Sequence, residues 1–271
     1  MFRCELMTTT LSANESRVAV AGTEVQMFSG GSGPPILFLH GAGGNRGWQP
    51  FHQALAGSNT VYAPSQPGFN GTARPDWLTT ITDMAHFNQQ MVQQLGLDQY
   101  VLMGHSMGGW IAAEMAAMSQ SSLKGLVLID AVGIRPKNSD ITEIFMVSAQ
   151  TRAGYRFHDP SQVPDIEEYT RELTTEEGLV DFSNREMASR LLWKPYMYNP
   201  SLPHYLAGVK TPTLVLWGRQ DAIVPLECGE LYNQALSNSR LAVIDHCGHS
   251  PQAEKPQEFL DQMTGFLAGL K

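Results

Sequence analysis

In the run Gly104-His105-Ser106-Met107-Gly108-Gly109 a serine stands two residues from a glycine on either side. The run joins a short apolar stretch, Tyr100–Met103, to a helical pattern, Met107–Met118. A serine on so sharp a strand-to-helix turn needs small neighbours, and Gly104 and Gly108 supply the room. The turn pushes the hydroxyl outward. It also puts the next amide, that of Met107, at a helix N-terminus, where it can stabilise an anion. The chemistry this suits is attack of the Ser106 hydroxyl on a carbonyl carbon. A glycine-rich crossover without chemistry is the plainer reading, and the strand–turn–helix setting weighs against it.

A hydroxyl is a weak nucleophile until a base takes its proton, and the base must itself be oriented by an acid. Of the eight histidines, only His249 and its near neighbour His246 lie in a loop after a late strand run and before the last helix. His249, in Gly248-His249-Ser250-Pro251, is the first choice of base, and His246 is its rival. His40 ends a strand run and reads as structural. His105 flanks the serine and points away from its hydroxyl. His52, His86, His158 and His204 read as surface or packing residues. For the acid, Asp221 in the turn Gly218-Arg219-Gln220-Asp221 comes first, and Asp130, just after Leu126–Ile129, second.

Acyl transfer also needs hydrogen-bond donors for the tetrahedral oxyanion. The Met107 amide is one. The other is expected in His40-Gly41-Ala42-Gly43-Gly44, with Ala42 ahead of Gly43. Asn45, Arg46 and Trp48 follow this run and either line a pocket or serve the loop. Trp110, one turn into the helix after Ser106, reads as core.

The frame for these residues is an alternation of short apolar runs with helical patterns. Val18–Ala21 and Glu24–Phe28 read as an opening hairpin, and Ile36–Leu39, Thr60–Ala63, Tyr100–Met103, Leu126–Ile129, Thr213–Trp217 and Leu241–Ile244 as further strands. Trp48–Ala56, Thr82–Leu95, Met107–Met118 and Pro256–Leu267 read as helices, with apolar residues at three-to-four spacing in the second. Such alternation predicts a parallel sheet covered by helices on both faces. It breaks between about Ile134 and Leu206, a stretch rich in aromatics with an acidic segment, Asp165–Glu177. We read the stretch as a mostly helical insertion over the sheet and the acidic segment as a solvated helix face. Ordinary crossover helices are the plainer alternative.

Composition bounds the rest. The 271 residues are 42% apolar and 16% charged, which excludes a highly charged disordered chain and suits one large core. A net charge of −8 without a Lys/Arg run argues against nucleic acid and against anionic membranes as partners. A small-molecule substrate is the expected partner. Three cysteines, Cys4, Cys228 and Cys247, are too scattered for a disulfide framework and read as reduced thiols in the cytoplasm. The first residues hold no apolar stretch like that of a signal peptide. Residues 1–12 look like a loose lead-in, and Met7 is a candidate start.

Taken together, His40–Gly44, Pro67-Gly68-Phe69, Gly104–Gly109, Trp217–Pro225 and Gly248–Pro256 resemble the α/β-hydrolase superfamily, from about Val18 to Leu267. The resemblance implies an α/β fold with a mostly parallel eight-stranded sheet and a helical cap after the sixth strand. Residues 13–133 and 207–271 would form the core and 134–206 the cap. It implies Ser106 as nucleophile, Asp221 as acid and His249 as base, with no metal and no organic cofactor. No metal-ligand cluster is apparent in the spacing. Ser65 and Asn70 depart from the Asp-x-Pro-Gly-x-Gly often found in relatives, which puts the usual local salt bridges in doubt. A serine at the elbow argues against haloalkane dehalogenases and epoxide hydrolases, which use aspartate there.

Two serine branches compete. Gly248-His249-Ser250-Pro251-Gln252-Ala253-Glu254-Lys255-Pro256 fits the pattern of carboxylesterases, which implies cleavage of a small to medium apolar ester. Meta-cleavage-product hydrolases cut a carbon–carbon bond next to a ketone and use a cap arginine and tryptophan on a dienol carboxylate. Arg190 and Trp193 are the candidates for those roles, although a surface ion pair for Arg190 and cap packing for Trp193 are the stronger reading. His105 and Ser250 stand where that branch often has Asn and Trp. A ligand receptor that keeps the triad is the alternative from a different class.

Overall fold

The chain opens with a hairpin, β1 (Asn14–Val20) and β2 (Thr23–Gly30), followed by β3 (Pro35–Leu39), α1 (Pro50–Leu55) and β4 (Thr60–Pro64). Helix α2 (Ile81–Gln94), β5 (Tyr100–His105), α3 (Met107–Met118) and β6 (Leu123–Ile129) come next. After β6 the chain forms α4 (Ala149–Arg156), a 3-10 turn (Pro160–Gln162), α5 (Glu167–Thr170), α6 (Thr175–Leu192) and α7 (Leu202–Leu206). It ends with β7 (Thr213–Gly218), α8 (Leu226–Ala235), β8 (Ser239–Ile244), α9 (Pro251–Glu254) and α10 (Pro256–Gly269). This computed structural model describes residues 13–164 and 166–270. The expectations for residues 1–12, including Met7 and Cys4, lie outside the described residues, as does Asp165.

The eight strands make one sheet in the order β1-β2-β4-β3-β5-β6-β7-β8. β2 runs antiparallel to β1 and to β4, and every other neighbouring pair is parallel. Strands covered on both faces must be apolar throughout: every residue of β5 and of β7 is buried. On one face the sheet packs Met84, Phe87, Met91 and Ile111. On the other it packs Phe51, Phe259, Met263 and Phe266. Ala112, Ala113 and Ala116 let α3 lie close over β3, β5 and β6.

Between β6 and β7 the described residues form four helices and no strand, apart from a bridge joining Gly133 to Tyr198. The last of them, α7, packs on α3 and α8 and so belongs to the core layer. The acidic segment is not one helix face. It divides between α5 and α6, and Thr174 and Glu177 form a capping box at the start of α6. Helix α8 carries no element in the sequence reading. Gly229 lets it approach β7, since a Cβ there would lie 2.7 Å from the Trp217 ring. No helix among the described residues is long and apolar enough to cross a membrane.

Candidate active site

Ser106 sits between the end of β5 and the start of α3 with φ 55° and ψ −115°. A side chain in this region is strained and persists only where the surroundings fix it. Here they do. A Cβ on Gly104 would lie 2.1 Å from the Gly108 carbonyl oxygen, and one on Gly108 would lie 2.1 Å from that of Leu39. The Ser106 amide donates to the Ile129 carbonyl at 2.9 Å, which ties the turn to the end of β6.

His249 lies in the loop after β8, and its Nδ1 donates to Asp221 Oδ2 at 2.7 Å. The Asp221 side chain is fully buried and that of His249 is 7% exposed. Asp221 Oδ1 accepts the amides of Ile223 and Val224 at 2.8 and 3.0 Å, so the turn after β7 fixes the carboxylate before it meets the imidazole. A carboxylate only accepts, so Nδ1 carries the proton and Nε2 of the neutral ring is left as a proton acceptor. Ser106 Oγ makes no hydrogen bond to His249 in this structure, a contact that often tightens only when substrate binds. His246, the rival base, has a backbone φ of 51° and stacks against His158 at 5.9 Å.

Asp130 is also buried beneath the site. Its Oδ1 accepts the Gly218 amide at 2.9 Å and its Oδ2 has no partner. Burial first, and then the charge of Asp221, hold its carboxyl well above the usual range. A carboxyl whose ionised form is disfavoured in this way is poorly suited to balance an imidazolium. His105, Asp130 and His249 bring one donor atom each within 4.8 Å of one another. Sequence spacing does not show this cluster. Two of its imidazoles already hold hydrogen bonds, to Asp221 and to a backbone carbonyl.

That carbonyl is the one of His249 itself, which accepts from His105 Nε2 at 2.7 Å. The residue before the nucleophile thus holds the loop of the histidine, a role the sequence gives no sign of. Burial, and then the neighbouring His249, push the His105 pKa well below its ordinary value. His40 is structural: Nε2 accepts the Gln66 amide at 2.9 Å, so Nδ1 carries the proton given to the Gly41 carbonyl at 2.8 Å. Burial lowers its pKa to about 4.

The amides of Met107, Ala42 and Gly43 have no hydrogen-bond acceptor among the described residues outside the regular ladders. Gly41 lets their loop approach the elbow, because a Cβ there would lie 3.2 Å from Ser106 Cβ. Free amides beside a nucleophile on a helix N-terminus are what a developing oxyanion requires.

The remaining candidates lie elsewhere. Asn45 is turned into its own loop, with Nδ2 on the Ala63 carbonyl at 2.9 Å and Oδ1 on the Gly47 amide at 3.0 Å. Both ends of its amide are thus taken up by backbone groups. Arg190 is exposed and paired with Glu186 one helical turn away. Trp193 is 49% exposed and packs edge-on against Tyr196. Trp110 is core. At the departures from the relatives' pattern, Asn70 holds a φ of 53° where a glycine is usual, and Gln66 and Asn88 form a neutral amide pair at 2.7 and 3.2 Å.

Glu254 is a buried residue whose role the sequence reading missed. Its Oε2 accepts the Gly248 amide at 2.6 Å and its Oε1 accepts the Asp159 amide at 2.8 Å. It therefore ties the histidine loop to the segment between α4 and α5. The only sign in the sequence is its place in Gly248–Pro256.

A family model described as "Alpha/beta hydrolase family" matches residues 36–262. The chain is 28% identical to a 2-hydroxy-6-oxo-2,4-heptadienoate hydrolase of Pseudomonas putida, over 96% of this chain and 99% of that protein. It is 26% identical to a monoacylglycerol lipase of Mus musculus, over 89% of this chain and 77% of the lipase. Among solved structures, a bacterial membrane phospholipase A superposes with a TM-score of 0.83 at 26% identity, covering 95% of this chain and 86% of that one.

Proposed function

The chain belongs to the alpha/beta hydrolase family and is a hydrolase, and from that premise we propose that it cleaves a carboxylic ester of small to medium size by way of an acyl-enzyme. Ser106 is the nucleophile, His249 the base and Asp221 the acid. Ser106 Oγ attacks the carbonyl carbon and its proton passes to His249 Nε2. The carbonyl electron pair moves to oxygen, where the amides of Met107 and Ala42 receive it. As the tetrahedral intermediate collapses, the bond to the alcohol breaks and His249 returns the proton to the departing oxygen. Water then attacks the acyl-enzyme, giving its proton to His249, and the acid leaves as Ser106 regains a proton. The observation that carries this reading is the 2.7 Å bond from His249 Nδ1 to Asp221 Oδ2 beside an elbow serine.

The test is hydrolysis of p-nitrophenyl esters from acetate to decanoate, with Ser106→Ala alongside. Turnover is expected to peak at one chain length and to vanish in the variant. Wild-type turnover by Ser106→Ala would overturn the assignment.

Likeness along nearly the whole chain to a heptadienoate hydrolase favours one second reading, cleavage of a carbon–carbon bond in a meta-cleavage dienol ketone. A folded protein that ignores every ester and turns over such a ketone, with loss in Ser106→Ala, would establish it.

A further inference from the structure

One guanidinium near the site has no counter-ion among the described residues. Arg156 is the last residue of α4. Its backbone carbonyl accepts the His249 amide at 2.8 Å. Its Nη2 lies 3.6 Å from the point a Cβ on Gly43 would occupy. The side chain therefore reaches from the histidine loop to the loop whose amides stand free beside Ser106. The placement is rigid. A Cβ on Gly248 would lie 2.8 Å from the Arg156 carbonyl oxygen, and Glu254 holds the Asp159 amide three residues further on.

The neighbours leave this cation in surplus. Arg152 is paired with Asp181 at 2.9 Å. Arg46 lies 4.4 Å over the Tyr169 ring and donates to the Glu168 carbonyl at 2.7 Å. Arg156 faces the same ring at 5.6 Å. Among the described residues no carboxylate lies within ion-pair distance of Arg156 and no acceptor takes a hydrogen bond from its guanidinium. Burial, and then Arg46, bring its pKa down to about 10, so it stays charged at neutral pH. Part of the residue remains open to solvent, which leaves an approach for a ligand. A poorly solvated charge without a counter-ion is costly. Its fork of N–H donors matches a planar carboxylate in shape and charge.

We propose that Arg156 is a specificity-determining residue that receives a carboxylate carried by the acyl part of the substrate. The protein then turns over esters of dicarboxylic acids with one free carboxylate in preference to neutral esters of the same length. This rests on the serine-hydrolase reading above.

Mono-p-nitrophenyl adipate and its methyl ester differ only in that charge and share one scissile bond. The wild type is expected to favour the free acid by roughly 10- to 100-fold in kcat/KM, the range of a hydrogen bond to a charged group. The difference should lie mainly in KM. Arg156→Met should bring the ratio to about one, and Arg156→Lys should keep part of it, since the charge remains without the fork. The ratio is internal to each protein, so a general loss from poor folding cancels. Hydrolysis of both esters by the wild type without preference for the acid overturns the carboxylate site and leaves the serine-hydrolase reading intact. A preference that Arg156→Met does not change does the same. A folded wild type that cleaves neither ester overturns both.

Discussion

His105 Nε2 donates to the backbone carbonyl of His249 at 2.7 Å, so the residue beside the nucleophile holds the backbone of the base. The two rings lie 4.9 Å apart and both residues are buried. Phenylalanine at 105 keeps a ring and leaves that carbonyl without a donor. His105→Phe is expected to cost about 1–3 kcal/mol of stability. It should also lower kcat more than it raises KM, because a displaced base acts on the transition state. His105→Gln, which restores an N–H donor, should recover part of both. Urea unfolding with steady-state kinetics checks this, and an unchanged kcat in a folded His105→Phe removes the positioning role.

Asp221 and Asp130, two of the buried carboxyls near His249, should respond differently to the loss of an oxygen. Asp221→Asn is expected to lower kcat by about 10,000-fold, the order found when a triad acid becomes an amide and the imidazole takes the wrong tautomer. Asp130→Asn keeps an acceptor for the Gly218 amide and replaces an oxygen that has no partner, so kcat should change little. The raised pKa of Asp130 carries a sign. The stability it lends is present at low pH and lost as pH rises through the folded value. Asp130→Asn should therefore gain on the wild type as pH rises. Kinetics and urea unfolding from pH 5 to 9 test both statements, and a kcat loss equal to that of Asp221→Asn would move the acid to Asp130.

The parts of this site legible in the sequence are those fixed by neighbours along the chain. The glycines around Ser106 are required by a turn of a few residues, and the runs in β3, β5, β6 and β7 are apolar because both faces of the sheet are covered. What was not legible depends on pairs far apart in sequence. His105 meets His249 across 144 residues, and Asp159 meets Glu254 across 95. Arg156 belongs to a helix that no motif announces. Asn45 stands next to the oxyanion loop in sequence, while only the folded chain shows that its side-chain hydrogen bonds go to Ala63 and Gly47. Helix α8 is short, and its core-facing residues Cys228, Leu231, Tyr232 and Ala235 are interspersed with Gly229, which lets it close on Trp217 but weakens the helical signal in the sequence.

Three of the four buried histidines make the fold sensitive to acid. Burial lowers the pKa of His40 to about 4 and of His52 to about 3, and holds that of His105 well below 6.5. Below pH 6.5 the unfolded chain takes up protons that the folded chain does not. Stability is therefore full above 6.5 and is lost as pH falls toward the folded values. Near pH 5 His40 and His52 alone should give a slope of about 2.5 kcal/mol per pH unit, to which His105 adds and which the raised carboxyl of Asp130 opposes. Against an ordinary total of about 5–15 kcal/mol, that is a measurable loss of stability toward pH 5. His52 Nδ1 accepts the Gln49 amide at 3.1 Å, a role the carbonyl of glutamine can take. His52→Gln should make the slope shallower by about 1.4 kcal/mol per pH unit. Urea unfolding at half-unit steps from pH 7.5 to 4.5 reads both slopes, and a profile flat down to pH 5 would contradict the burial of these rings.

Glu254 adds a second tie between two segments already joined by the His249 amide on the Arg156 carbonyl, the histidine loop at Gly248 and the chain after α4 at Asp159. Both amides are donors that only this carboxylate satisfies among the described residues. Glu254→Ala orphans them and should cost about 1–3 kcal/mol for each. Because Gly248 precedes the base, the substitution should also lower kcat in protein that remains folded. Glu254→Gln keeps one accepting oxygen and replaces the other by a donor that faces an N–H, so its cost should fall between those of the wild type and Glu254→Ala. The two variants separate packing from charge: equal losses in both would mean that the charge of the carboxylate matters more than the number of acceptors. Denaturant midpoints together with kcat on the preferred ester decide it, and a wild-type midpoint in Glu254→Ala would show that water replaces the carboxylate without loss.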